Sequence, residues 1–192
     1  MKLTVTVKLQ PTEEQARSLR ETLERANDAA NYVSEWAWQN RTFGQYTLHK
    51  ALYYRVKDEF GLSAQIVVRV LAKVADAYKL DKGEKKSKRT FRKHGSIAYD
   101  SRILRWYQHK SEVTMSTLAG RIRIPYHSDE RARRLLQNQQ GETDLMFRDG
   151  QFYLATTVNT PAPPEQGPPE PGRPAGRPGG EPAMVTLAGD GR

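Results

Sequence analysis

The hydrophobic period of this chain changes twice, and that alternation limits the folds open to it more than any other feature. Between Lys2 and Leu9, the residues Leu3, Val5, Val7 and Leu9 alternate with Lys2, Thr4, Thr6 and Lys8. A period of two buries one face of a strand and wets the other. Pro11 ends the run, and Thr12 with Gln15 makes the Thr-x-x-Gln pattern of a capping box at a helix start. The period then becomes helical. Ala16, Leu19, Leu23, Ala26, Ala30, Val33 and Ala37 step by three and four along one seam suited to packing on another helix. A second helix is predicted from Thr47 to Phe60 with Gly61 as its C-cap, and a third from a Ser63 cap with Val67, Leu71, Val74 and Tyr78 on one face.

Past residue 96 the period returns to two. Ile97 and Tyr99, Ile103 to Tyr107, Val113 to Met115, and Ile122 to Ile124 read as strands, with Leu118-Ala119-Gly120 as the turn between the last two. A short helix is expected from Asp129 to Gln139, followed by a hairpin around Asp149-Gly150, a pair suited to the positive φ angles of a type I′ turn. Strand, helical insertion, strands: the order predicts an α+β fold in which a small β-barrel or sandwich is interrupted by a helical domain. The expected divisions are residues 1–11 (first strand), 12–79 (helical insertion), 80–96 (basic connecting segment), 97–160 (remaining strands and a short helix) and 161–192 (tail). The tail holds nine of the eleven prolines, and a segment so short of apolar groups and amide donors is expected to be disordered.

Several chemistries are excluded at this level. The chain has no cysteine, so disulfides, thiolate nucleophiles and Cys-ligated zinc are ruled out. Its four histidines, His49, His94, His109 and His127, have no metal-ligand spacing. There is no Gly-rich phosphate loop and no Gly-x-Ser-x-Gly elbow, and Glu13, Glu14, Asp129 and Glu130 stand where helix first turns favour carboxylates. No catalytic residue, metal site or cofactor is predicted. The N-terminus lacks the continuous apolar run of a signal peptide, and no run is long enough to span a bilayer. The chain is therefore read as soluble and cytoplasmic, with neither a membrane nor a small molecule as partner.

The charge points elsewhere. The formal net charge is +9, and the stretch KLDKGEKKSKRTFRKHGS places eight Lys or Arg in its first sixteen residues against Asp81 and Glu84 alone. A basic excess of this size favours an anionic partner, and for a soluble protein nucleic acid is the commonest. Lys79, Lys82, Lys85, Lys86, Lys88, Arg89, Arg92 and Lys93 would neutralise phosphates, with Phe91 or His94 placed to stack or anchor, and Arg102, Arg105 and Lys110 continue the charge onto the next strands. A solvated charge run would read the same. Tyr99, Trp106, Tyr107 and Tyr126 fit a base-stacking platform or, somewhat better, the filling of a small sheet's core. Trp36, Trp38, Tyr53 and Tyr54 on the helices are a weak interface signal.

The segments LTVTVKLQPTEEQARSLRETLERANDAANYVSEWAW, AQIVVRVLAKVADAYK, FRKHGSIAYDSRILRW, STLAGRIRIP and GETDLMFRDGQFYLATTV, in this order and spacing, resemble the N-terminal half of transposon-encoded OrfB or TnpB-like proteins. These transposase-family proteins are RNA-guided DNA endonucleases related to type V CRISPR effectors. The resemblance covers residues 1 to about 164. It implies a wedge-type β-barrel interrupted by an inserted helical recognition bundle, with a guide RNA and a target DNA duplex as partners. It also implies that Ser63, Gln65 and Arg69 lie near the short target-adjacent DNA motif and that residues 79–93 face nucleic-acid backbone. The nuclease domain that follows in the family, with its metal-binding carboxylates and paired cysteines, has no counterpart here. A truncated or frameshifted chain is expected, one that binds nucleic acid without cutting it. The alternatives are a non-functional pseudogene product that exposes faces meant for the missing domain, and a regulatory short form that retains RNA binding.

Overall fold

The computed structural model describes residues 2–80 and 87–160. The predicted tail, and Lys82, Lys85 and Lys86 of the basic stretch, lie outside the described residues. Strand β1 (Lys2–Leu9) leads into helix α1 (Glu13–Gln39), followed by α2 (Gln45–Phe60) and α3 (Ala64–Lys79). Then come β2 (Ile97–Tyr99), β3 (Leu104–Tyr107), β4 (Glu112–Thr117), β5 (Gly120–His127), the short helix α4 (Glu130–Leu136), β6 (Gln139–Arg148) and β7 (Gln151–Asn159). The fold is α+β, with the three long helices inserted between the first strand and the rest of the sheet.

All seven strands form one antiparallel sheet in the order β2-β6-β7-β1-β5-β4-β3. Strand β1 pairs with β7 over seven positions but with β5 only at Lys8–His127 and Leu9–Tyr126, so the sheet turns a corner there. The two outer strands, β2 and β3, are neighbours in sequence, which brings the edges round into a barrel-like, nearly closed shape. Alternation does what it predicts: Val5, Val7 and Leu9 are buried and the intervening residues face out. In the β6–β7 hairpin, Arg148 pairs with Gln151 across a two-residue turn in which Asp149 (φ 49°) and Gly150 (φ 75°) both take the left-handed conformation, as a type I′ turn requires.

Helix α1 links the two halves. The Thr12 hydroxyl accepts from the Gln15 amide while the Gln15 side chain accepts from the Thr12 amide, closing the capping box. Gln15 Nε2 also donates to Arg123 O, Ser18 Oγ donates to Thr117 Oγ1 at 2.8 Å, and the Leu118 amide donates to Thr22 Oγ1 at 3.0 Å. The first half of α1 is thereby fastened to the β4–β5 hairpin. Its second half packs through Ala26, Ala30, Val33 and Ala37 against α2 and α3, where small side chains permit close approach. Leu48, Leu52 and Val56 of α2 and Val67, Leu71, Val74 and Tyr78 of α3 are fully buried in this bundle. At roughly 1.5–3 kcal/mol for each large side chain fully buried, the bundle and sheet interior supply the main driving force for folding.

Several details differ from expectation. Helix α2 starts at Gln45, ahead of Thr47, and ends as predicted on Gly61 in the left-handed conformation (φ 59°). Ser63 stands at the N-cap of α3 but makes no side-chain capping bond. Strand β3 begins at Leu104, because Ile103 and Leu104 both donate their amides to Asp100 O in a tight turn. Gln139 belongs to β6, since α4 ends at Leu136, while Gly120 opens β5 and leaves Leu118-Ala119 as the turn.

Candidate nucleic-acid interface

The described part of the basic stretch, residues 87–96, crosses α1 as a strap whose backbone is held by side chains of that helix. Asn31 makes a two-bond clamp on one residue: its Nδ2 donates to Phe91 O at 2.9 Å, and its Oδ1 accepts from Phe91 N at 2.7 Å. Ser34 Oγ donates to Arg89 O at 2.6 Å, and Arg89 N donates to the hydroxyl of Tyr78. Asn27, fully buried, donates through Nδ2 to Lys93 O and Gly95 O. Residues 27, 31 and 34 are four and three apart, hence on one helix face. Interior Asn and Ser weaken an isolated helix; here they satisfy a chain segment that has no ladder of its own.

Lys73 of α3 completes the clasp. Its Nζ donates to Asn27 Oδ1 at 2.6 Å and to Ser96 O at 2.8 Å, and it lies 5.0 Å from the centre of the Phe91 ring. Burial pulls its ammonium down to about 8, with the Asp144 carboxylate opposing. Asp144 is itself pushed up by burial and then by Glu142, against the pull of Arg69 and Lys73.

The strap's charged side chains divide. Lys88 pairs with Glu35, and Lys93 lies 3.5 Å from Glu24, which also accepts a hydrogen bond from His94 Nε2 at 2.8 Å. The His94 bond first and Lys93 second hold Glu24 below the usual carboxylate range; Lys88 does the same for Glu35. Such exposed pairs contribute little and yield readily to a stronger anion. Arg92 is exposed and Arg89 is half-buried. Lys79, in the last turn of α3, pairs with Asp76. Phe91 packs on the core beneath the strap, and the half-buried His94 meets the ring of Phe147 edge-on.

The three residues assigned to a target-motif contact do not act together. Ser63 is exposed. Gln65 donates to the Asp100 carboxylate and accepts from Arg102 Nη1 at 3.2 Å. Arg69 is tied to Glu142 of β6. Gln65 joins the start of α3 to the β2–β3 turn and Arg69 joins it to β6, so both read as structural ties.

A second basic surface was less visible in the sequence. Arg105 of β3, Thr114 of β4 and Arg123 of β5 are aligned across three strands, and Arg121 is opposite Ser116. Arg105, Arg121 and Arg123 are exposed on this face, and Thr114 is buried, accepting from Arg121 Nη1 at 3.4 Å. Tyr107 sits among them, with the guanidinium of Arg105 5.4 Å and that of Arg123 4.8 Å from its ring centre. Arg121 Nη2 donates to Arg102 O at 2.6 Å, while the Arg102 side chain bonds Gln65. Glu112 is the one carboxylate of the β3–β5 strands, and it pairs with Arg123 at 3.3 Å. The signal was present, since Arg121 and Arg123 alternate with Ile122 and Ile124. Of the four aromatics considered for a platform, Tyr99 and Tyr126 are buried core residues. Burial raises both hydroxyls above the ordinary tyrosine value. Trp106 points inward against Tyr126, leaving Tyr107 on the outer face.

Among the described residues, no three His, Asp or Glu side chains gather as a metal site, and no helix is long and apolar enough to cross a membrane. No protein-family model matches the chain, and no curated protein matches it.

Proposed function

We propose that this chain is a nucleic-acid-binding module that grips RNA or an RNA–DNA duplex by its backbone, as the resemblance to the N-terminal half of TnpB-like proteins implies. The observation that carries this reading is the outer face of β3–β5, where Arg105 and Arg123 flank Tyr107 and Arg121 extends the same face, with Glu112 the one carboxylate of these strands. Guanidinium groups fixed on a sheet suit phosphate oxygens, and the half-buried ring of Tyr107 among them suits a base or sugar. The strap supports the same reading, because its backbone is ordered before any ligand arrives and its side chains need not be organised at the moment of binding. The wedge-type barrel and recognition-bundle architecture is part of this proposal.

One observation favours a retained module over a relic. Among the described residues, the large hydrophobics left exposed are Tyr46, Tyr54 and Leu80, with no apolar face of the kind a lost domain would leave behind. The test is RNA binding by the purified chain across a salt series. Beside it stand a strap variant (Lys88, Arg89, Arg92 and Lys93 to Gln) and a sheet variant (Arg105, Arg121 and Arg123 to Gln). A three-phosphate loss in the sheet variant should flatten the slope of log affinity against log salt by about 2 for a single strand. Slopes identical in the parent and both variants would refute the proposal.

A further inference from the structure

The barrel does not close. Strand β2 pairs only with β6 and β3 only with β4, so the two edges face each other without a ladder between them. In this seam lies an open cleft of about 440 Å³. Tyr99, Leu104 and Trp106 line it, with Arg105 and Gln139 among its polar residues. Trp106 also lines a second hollow, toward α4, together with Gln108 and Arg133. Its indole ring therefore stands as a partly exposed wall between two depressions.

We infer that this seam is a pocket for one unstacked nucleobase of a single-stranded nucleic acid, the inference resting on the nucleic-acid reading above. The size fits: the cleft is at the small end of the roughly 300–1,000 Å³ range of small-molecule sites, room for one planar ring system and not for a stacked run. The chemistry fits as well. A base needs an aromatic wall, and Trp106 supplies it. The indole Nε1 is buried and has no hydrogen-bond partner among the described residues. No polar bond ties the ring to its present position, and a small swing would give that donor an acceptor on a base edge. Gln139 Nε2 already donates to Gly141 O and Thr156 Oγ1, and Gln108 Nε2 to Leu136 O. Both amides keep oxygen acceptors for a base's N–H groups.

The surroundings favour a nucleotide over a peptide. Arg105 lines the cleft and Arg102 adjoins it, with Arg121 bonded to the Arg102 carbonyl, so a phosphate flanking the inserted base would meet guanidinium groups on the outer sheet face. The carboxylate in the lining, Asp100, already accepts from Gln65 and from the Arg102 amide. A peptide adding as a strand needs a long free edge; β2 has three residues and β3 four.

The full chain would be irradiated with a single-stranded RNA of about twelve nucleotides carrying one 5-iodouridine, within the length such sites cover, and the crosslinked peptide mapped. The expected attachment is at Trp106 in the unaltered protein. Trp106→Leu should weaken binding roughly five- to a hundredfold, the range of one base–aromatic stack, while leaving the salt slope unchanged. Trp106→Phe, which keeps a ring and the core contact, should lose less. Salt-dependent binding with crosslinks elsewhere, and equal affinity in both variants, would overturn the pocket and leave the backbone-binding reading standing. No binding at any salt would overturn both. An extended peptide that shifts the amide signals of residues 104–107 where RNA does not would make the seam a peptide site and overturn the inference.

Discussion

Replacing Asn31 with Leu isolates what the strap's anchoring contributes. The two side chains have similar volume, so the change removes two hydrogen bonds, both to Phe91, with little alteration of packing. At about 1 kcal/mol net for each bond, the local cost is about 2 kcal/mol. Asn31 and Phe91 are only half-buried, so water can take up part of the freed donor and acceptor, which keeps the cost from rising further. A local destabilisation of about 2 kcal/mol corresponds to roughly thirtyfold faster hydrogen exchange at the Phe91 amide. If the strap opens only with the whole domain, the melting temperature should also fall by roughly 4–8 °C. Asn31→Asp is the sharper companion: it keeps the acceptor for the Phe91 amide but sets a carboxylate oxygen against the Phe91 carbonyl. Its loss at neutral pH should match or exceed that of Asn31→Leu and shrink as the carboxylate is protonated. RNA affinity in Asn31→Leu should drop while its salt slope stays constant, because the charges remain and only their ordering is lost. Unchanged exchange at Phe91 in Asn31→Leu would refute the claim that this clamp holds the strap.

Two other substitutions probe the same clasp. At Gly95, an added Cβ would meet Asn27 Oδ1 at 3.0 Å, Arg92 O at 3.2 Å and Lys73 Nζ at 3.3 Å; Gly95→Ala should destabilise by about 1–3 kcal/mol in urea unfolding, and an unmoved midpoint would show that the strap can give way there. Lys73, pulled down to about 8 from 10.5, binds fewer protons in the folded than in the unfolded chain between those values. Its contribution to unfolding free energy therefore rises with pH across that window. Unfolding in urea at about pH 7.5, 8.5 and 9.5 should show that rise in the parent and lose it in Lys73→Met, and parallel curves would contradict it.

The fold was legible where one local rule decided the outcome. Thr12 and Gln15, Gly61, and Asp149-Gly150 each carry a backbone requirement that few residues meet, and each sits where its chemistry demands. The alternations of β1 and β5 were legible for the same reason. Boundaries failed where a tertiary contact overrode the pattern. Ile103 has the right character to begin a strand, yet the Asp100 carbonyl takes its amide into a turn. Gln139 looks like the end of a helix, but β6 needs it opposite Val158. A barrel interrupted by helices was legible in the order of periods, but the strand order was not, because it depends on β1 lying between β7 and β5, more than a hundred residues later in the chain.

The candidate site divides along the same line. Charge density is a property of sequence, so the basic stretch was visible at once; which of its members stay available to a ligand is a property of neighbours. Glu24 and Glu35, unremarkable on a helix, turn out to face Lys93 and Lys88, and Gln65 and Arg69 turn out to be tied to Asp100 and Glu142. A solvated charge run would have no such partners, and a strap with its backbone bound by Asn27, Asn31 and Ser34 is not a solvated run. Asparagine and serine inside a long helix were the overlooked sign. They are poor helix formers, and three of them on one face signal a segment elsewhere in the chain whose amides and carbonyls must be met. The same reasoning extends to Arg105, Arg121 and Arg123. One arginine on the outer face of a strand is ordinary, but strand pairing makes three into a patch, and pairing is the quantity a single sequence leaves unwritten.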